Sequence, residues 1–177
     1  MSSAVAHGLR QAVAGADLDA ARALFAEYQQ AIGLDLCFQG FDAELAGLPG
    51  AYAPPRGRLY VAWMDGEPAG CGALRPFDAG TCEMKRLYVR GPARGRRLGR
   101  EIARRLIEDA RAIGYRRMVL DTLARMREAR ALYASLGFVA IPPYGAEAPE
   151  ERVCLALDLA AEGARPGADQ GRVSGRR

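Results

Sequence analysis

An extended apolar stretch that passes through an arginine- and glycine-rich turn straight into an amphipathic helix constrains this chain more than any other feature. Met84 to Val89 (M-K-R-L-Y-V) reads as a strand, Arg90 to Ala93 as a turn, and Arg94 to Arg100 (R-G-R-R-L-G-R) as the loop and first turn of a helix. Leu98, Ile102, Ala103, Leu106, Ile107, Ala110 and Ile113 recur at three- and four-residue steps, with Arg100, Glu101, Arg104, Arg105, Glu108 and Arg111 on the other face. Gly114 supplies the stop. The first amides of a helix have no intrahelical acceptor and sit at the positive end of its dipole, so this N-terminus invites a phosphate or pyrophosphate. Gly95 and Gly99 let that backbone approach a ligand, and Arg94, Arg96, Arg97 and Arg100 offer charge-assisted bonds. The loop lacks the lysine and hydroxyl of a P-loop and does not fit G-x-G-x-x-G. An arginine-rich helix start is also compatible with a merely solvated surface, so the rest of the chain must decide.

Upstream, Leu9 to Val13 reads as a short strand. Asp17 is expected to cap a helix whose inner face is Ala21, Leu24, Phe25, Tyr28 and Ile32, ended by Gly33. Leu34 to Pro55 is the least regular part, with a helical patch around Asp42 to Ala46 and with Phe38, Phe41 and Tyr52 expected to be exposed. Arg58 to Met64 and Pro68 to Pro76 form a hairpin about Asp65-Gly66, and Thr81 to Val89 follows as a third antiparallel strand. After the central helix come a buried strand at Arg117 to Leu120, a second helix at Arg125 to Leu136, and strands at Phe138 to Ile141 and Val153 to Leu159. The order β-α-β-β-β-α-β-α-β-β predicts an α/β (α+β) chain with a mixed, mostly antiparallel sheet flanked by helices. One domain over 1–159 and a disordered tail over 160–177 are expected.

Composition narrows the function. The 177 residues carry 25 Lys and Arg against 21 Asp and Glu, a net charge of +4, which permits anionic ligands. A nucleic-acid binder should interleave aromatics with its basic face, and the helix after Arg94 has none there, so no nucleic-acid partner is expected. Cys37, Cys71, Cys82 and Cys154 are unevenly spaced without a C-x-x-C pair, so no metal is expected. His7, the sole histidine, is expected in a mobile N-terminus and so outside any catalytic triad. No run approaches the ~18–20 apolar residues of a membrane span, and no signal segment is read at the start, so a cytoplasmic protein without a membrane partner is expected.

Two further motifs accompany the loop. From Arg94 to Gly99 the chain follows the pattern R/Q-x-x-G-x-G/A, with Arg97 at the first glycine position. Ala129, Leu132, Tyr133, Gly137 and Phe138 match A-x-x-L-Y-x-x-x-G-F. In this order and spacing, from about Leu59 to Leu159, the chain resembles the GNAT superfamily of N-acetyltransferases. The resemblance implies splayed central parallel strands holding acetyl-CoA, with backbone groups of Leu87, Tyr88 and Val89 along the pantetheine arm. Residues Arg94, Gly95, Arg96, Arg97, Leu98, Gly99 and Arg100 would hold the pyrophosphate. Met126 stands where the family often has asparagine.

Acetyl transfer to an amine requires a deprotonated nucleophile, a stabilised oxyanion and an acid for the departing thiolate. By the resemblance, Tyr133 is the acid and Glu83, at the start of the strand leading to the loop, is the general base. Each has a plainer alternative: Tyr133 as a core aromatic, Glu83 as an exposed strand carboxylate or a partner of Lys85 or Arg86. Tyr28, Phe38 and Tyr144 are candidates for substrate contact. The implied function is acetyl transfer from acetyl-CoA to a primary amine of a small molecule or peptide, in a ternary complex. The alternative is a non-catalytic acyl-CoA-binding regulatory module. No motif names the acceptor, and the oligomeric state stays open, a homodimer included.

Overall fold

The computed structural model describes residues 7–33, 40–145 and 151–160. The elements are β1 (His7–Gln11), α1 (Gly15–Ile32), α2 (Phe41–Ala46), β2 (Arg58–Met64), β3 (Glu67–Pro76), β4 (Thr81–Val89), α3 (Leu98–Ile113), β5 (Arg117–Leu123), α4 (Arg127–Ser135), β6 (Val139–Ile141) and β7 (Arg152–Asp158). The seven strands form one sheet in the order β1-β2-β3-β4-β5-β7-β6, antiparallel except where β4 meets β5. The predicted mixed sheet with flanking helices is therefore the fold. Asp65 and Gly66 both have positive φ, 52° and 84°, the signature of the type I′ turn that joins β2 to β3.

Each face of the sheet has its own core. Under α3 and α4 lie Met84, Ile102, Leu106, Met118, Leu120 and Tyr133; under α1 and α2 lie Leu24, Phe25, Phe41, Tyr52, Leu59 and Val61. Ile102 and Leu106 are fully buried, and removing each from water contributes about 1.5–3 kcal/mol. They approach β3 so closely that a Cβ at Gly72 would lie 2.5 Å from Ile102 Cγ2. Glycine at that position fixes how deep α3 sits, and hence where its N-terminus lies.

Two irregularities open the sheet. Cys71 pairs with Tyr88 but Ala73 pairs with Lys85, so β4 carries an extra residue there, and Arg86 takes φ 58°, in the left-handed region. The bulge puts two successive side chains on one face: Lys85 reaches Asp121 of β5 and Arg86 reaches Glu44 of α2, while Leu87 returns to the α3 core. Beyond this point β4 and β5 part. Their pairing covers only Thr81 to Glu83 against Arg117 to Val119, whereas β5 runs on with β7 to Leu123.

Several expectations are corrected. Phe41 and Tyr52 are buried, not exposed, because the described part of the connector, 40–55, packs against α1 with Tyr52 edge-on to Phe25 and its hydroxyl on Glu44. α1 starts at Gly15 after Ala14, so Asp17 is not the cap; it lies in the first turn, where its charge suits the dipole. His7 lies in β1 opposite Met64, with Nε2 3.6 Å from Glu101 Oε2. β5 is longer than its apolar run because β7 pairs along all of it. The expected tail over 160–177 lies outside the described residues apart from Ala160.

Candidate active site

Where β4 and β5 part, a cleft of about 700 Å³ opens. Leu87, Tyr88 and Val89 form one wall, Met126 to Ala129 and Leu132 the other, Tyr28 and Ile32 of α1 border it, and the loop before α3 closes its mouth. The residues expected to hold a cofactor thus converge on one space, with one exception. Arg96 points away, its Nη1 3.6 Å from Met64 Sδ, and only its backbone belongs to the loop.

The loop is shaped to expose amides. Arg97, the residue before α3, has φ 64° and Gly95 φ 79°, and no side chain caps the helix. Glu101 is the first amide of the helix bonded inward, to the Arg97 carbonyl at 3.0 Å. From Gly95 through Arg100, no amide donates to a backbone carbonyl among the described residues. A non-glycine residue in the left-handed region costs ~1–2 kcal/mol, so Arg97 holds this turn under strain. Gly99 behaves differently. Its φ is not positive, and a Cβ there would meet Leu132 Cδ2 at 3.6 Å and Val89 Cγ2 at 3.7 Å, ordinary contacts. Neither conformation nor packing demands glycine, which is what a backbone surface kept bare for a ligand requires. Arg94 donates from Nε to the Val89 carbonyl at 3.1 Å, and Arg100 ties the helix start to Ser135 of α4 at 2.8 Å. Bare amides, a dipole and flanking guanidinium groups fit a pyrophosphate.

Tyr133 is buried, packs edge-on to Phe138 with ring centroids 5.7 Å apart, and makes no side-chain hydrogen bond among the described residues. Burial pushes its phenol well above the usual tyrosine range, which keeps the proton on. Glu83 is 3% exposed and does not line the cleft. Arg75 donates to its Oε2 from Nε (3.0 Å) and places Nη2 2.9 Å from the same oxygen, and the Tyr144 hydroxyl donates to Oε1 at 3.1 Å. Lys85 lies 3.7 Å from Oε1, so one expected partner is present, while Arg86 is engaged by Glu44 instead. Tyr28 lines the cleft beside Tyr88, Tyr144 stands apart with Glu83, and Phe38 lies outside the described residues.

Tyrosine titration gives these sites a stability signature. Burial first, then Asp109, raises Tyr60 to about 12, and burial also raises Tyr28, Tyr52, Tyr133 and Tyr144. Because the folded values lie above the ordinary ~10, the stabilisation is complete below pH ~10 and is lost as pH rises toward the folded values. Burial also raises the thiols of Cys71 and Cys82, the latter to about 12, so thermal melts should be level up to pH ~8, decline as unfolded-state thiols ionise near ~8.5 and fall more steeply above pH ~10; a level profile to pH 11.5 would contradict these burials.

Sequence reasoning missed Arg86, Glu44 and Arg125. Arg86 and Glu44 are 42 residues apart and no local pattern joins them, although they form a bidentate pair at 2.8 and 3.0 Å. Arg125 lines the cleft and donates to the Ile32 carbonyl and, at 2.9 Å, to Glu151. The one local hint was an arginine just ahead of the second motif helix. Among the described residues no cluster suits a metal ion, and no helix is long and apolar enough to cross a membrane.

Comparison with known proteins agrees with this geometry. The model of the acetyltransferase (GNAT) family matches residues 18–138. An uncharacterised N-acetyltransferase of Schizosaccharomyces pombe is 45% identical over 130 residues, spanning 72% of this chain and 80% of that protein. Among solved structures, an acetyltransferase from Streptococcus agalactiae superposes with TM-score 0.72 at 20% identity over 86% of this chain and 98% of its own. A putative acetyltransferase from Salmonella typhimurium, solved with its cofactor acetyl-CoA, gives 0.63 at 24% identity over 90% of this chain and 97% of its own. With the family model covering the strand, the loop and the tyrosine helix in one span, this chain belongs to the GNAT family of N-acetyltransferases.

Proposed function

We propose that this protein transfers the acetyl group of acetyl-CoA to a primary amine of a small molecule or peptide, by direct attack of the amine in a ternary complex. The observation that carries this reading is the run of amides from Gly95 to Arg100, without backbone acceptors, at the mouth of a cleft between parted strands. Acetyl-CoA supplies an activated acyl carbon and a thiolate leaving group. The protein's residues do the rest. Loop amides and Arg94 hold the pyrophosphate, and the backbone of Leu87 to Val89 aligns the pantetheine arm. The amine nitrogen forms the new C–N bond as the C–S bond breaks. One proton must leave the nitrogen and one must reach the sulfur.

Tyr133, protonated by burial and free of a competing bond, delivers the proton to sulfur. Glu83 receives the amine's proton through water, since its carboxylate is set back from the cleft and held there by Tyr144. Tyr28 borders the acceptor. Glu83→Gln should then lower turnover about 10- to 100-fold with acetyl-CoA affinity within twofold of the parent. Unchanged turnover would assign that proton to bulk water or the amine itself.

The experiment for the function as a whole is a thiol-release screen of purified protein with acetyl-CoA against amino acids, polyamines, aminoglycosides and peptides, with mass spectrometry of the products. Release coupled to an acetylated amine supports transfer. Tight binding without release on any amine would support a non-catalytic acyl-CoA-binding module instead.

A further inference from the structure

Arg86 combines three features that the binding of acetyl-CoA does not use. Its backbone is held in the left-handed region, at φ 58°, by the bulge that opens the cleft. Such strain in a non-glycine residue persists only where the surrounding structure over-determines it, and it concentrates at functional positions. Its side chain is only 3% exposed, pinned on one edge by Glu44 through Nε and Nη2, with Tyr28 and Phe41 rings 5.8 and 5.1 Å from the guanidinium carbon. Its Nη1 meets no carboxylate among the described residues; the Tyr28 hydroxyl is the polar group beside the guanidinium on that side. A guanidinium with one edge anchored on a carboxylate and the other meeting only a neutral hydroxyl is a pre-organised receptor for a second carboxylate.

The location decides what that carboxylate belongs to. Tyr28 lines the cleft, and its phenol, pushed up by burial, is pulled partly back by the Arg86 charge beside it. The bulge also marks the point beyond which β4 and β5 no longer pair, where the Lys85 to Asp121 ion pair, 3.1 Å long, spans the opening. Arg75 repeats the pattern nearby: Nε and Nη2 are spent on Glu83, Nη1 has no partner among the described residues, and the side chain lines a pocket of about 330 Å³ with Glu44 and Tyr52. Two half-used guanidinium groups thus stand on the sheet face under α1 and α2, on the far side of the bulge from the pyrophosphate loop.

We propose that the acceptor is an amine that also carries a carboxylate, an amino acid in the broad sense, and that Arg86 binds that carboxylate with Arg75 adjoining. The inference rests on the acetyl-transfer reading and names the substrate class of that same site. The carboxylate is bound and not transformed, so the bonds made and broken are those of amine acetylation alone.

The test needs no variant to begin. With acetyl-CoA saturating, kcat/KM is measured for amino acids (glutamate, aspartate, β-alanine, γ-aminobutyrate) and for their carboxamides and decarboxylated amines. The expected preference for the acids is about 10- to 100-fold, the range of a charge-assisted pair. The double variant Arg86→Met with Glu44→Leu removes both buried charges together, which spares the fold the cost of an orphaned carboxylate. It should abolish the preference through KM, with acetyl-CoA affinity unchanged, and Arg75→Gln should weaken it in part. Equal rates on acids and carboxamides in the parent protein, or a preference that survives the double variant, would overturn the proposal and leave acetyl transfer standing. Absence of thiol release with every amine, carboxylate-bearing or not, would overturn both.

Discussion

Tyr133→Phe lowers turnover by roughly ten- to a thousandfold, while acetyl-CoA affinity and melting temperature stay close to those of the parent. The substitution keeps the ring that packs on Phe138 and removes only a hydroxyl that bonds to no side chain among the described residues. A buried hydroxyl without a protein partner contributes little to stability, so its loss should be nearly neutral for folding. General-acid catalysis contributes about 10²–10⁴, so its loss should be plain in the rate. Steady-state kinetics and a melt on one sample separate the outcomes. A fully active variant would make Tyr133 a core aromatic and assign the thiolate's proton to solvent.

Gly99 yields the other large effect, and with an unusual sign. Gly99→Ala should raise the melting temperature, because alanine is better than glycine inside a helix by ~0.5–1 kcal/mol and its Cβ meets Leu132 and Val89 at ordinary distance. The same methyl stands on the surface proposed to receive the pyrophosphate, so acetyl-CoA affinity should fall about tenfold. Gly99→Asp adds negative charge at the helix start and should weaken binding about 100-fold or more. Calorimetry and thermal melts on both variants check the pair. Stabilisation together with undiminished affinity would remove the loop from the cofactor site.

Much of this was legible locally. The Asp65-Gly66 hairpin, the stripe of α3 and the glycine stop at Gly114 are set by neighbours in sequence, and each formed as read. The cleft itself was legible only through the family resemblance, since nothing local in M-K-R-L-Y-V marks a bulge. Arginine is not a residue that favours positive φ, and the bulge is imposed by the register against Cys71 and Ala73 and by Glu44. The burial of Phe41 and Tyr52 was hidden for a similar reason. Their surroundings in sequence are breakers and small residues, while the core they enter is made by α1 and β2. Charges that look like a solvated strand face, Glu83, Lys85 and Arg86, turn out to be buried or nearly so, because their partners come from β3, β5 and α2. Pairing between distant elements has no periodicity for a sequence to display.

Backbone amide chemical shifts followed through a titration report, residue by residue, where acetyl-CoA contacts the chain. The largest changes are expected at Gly95 to Arg100, followed by Leu87 to Val89, with the amides of β1 and β6 unmoved. Saturable binding that leaves the Gly95 to Arg100 amides where they were would contradict that expectation.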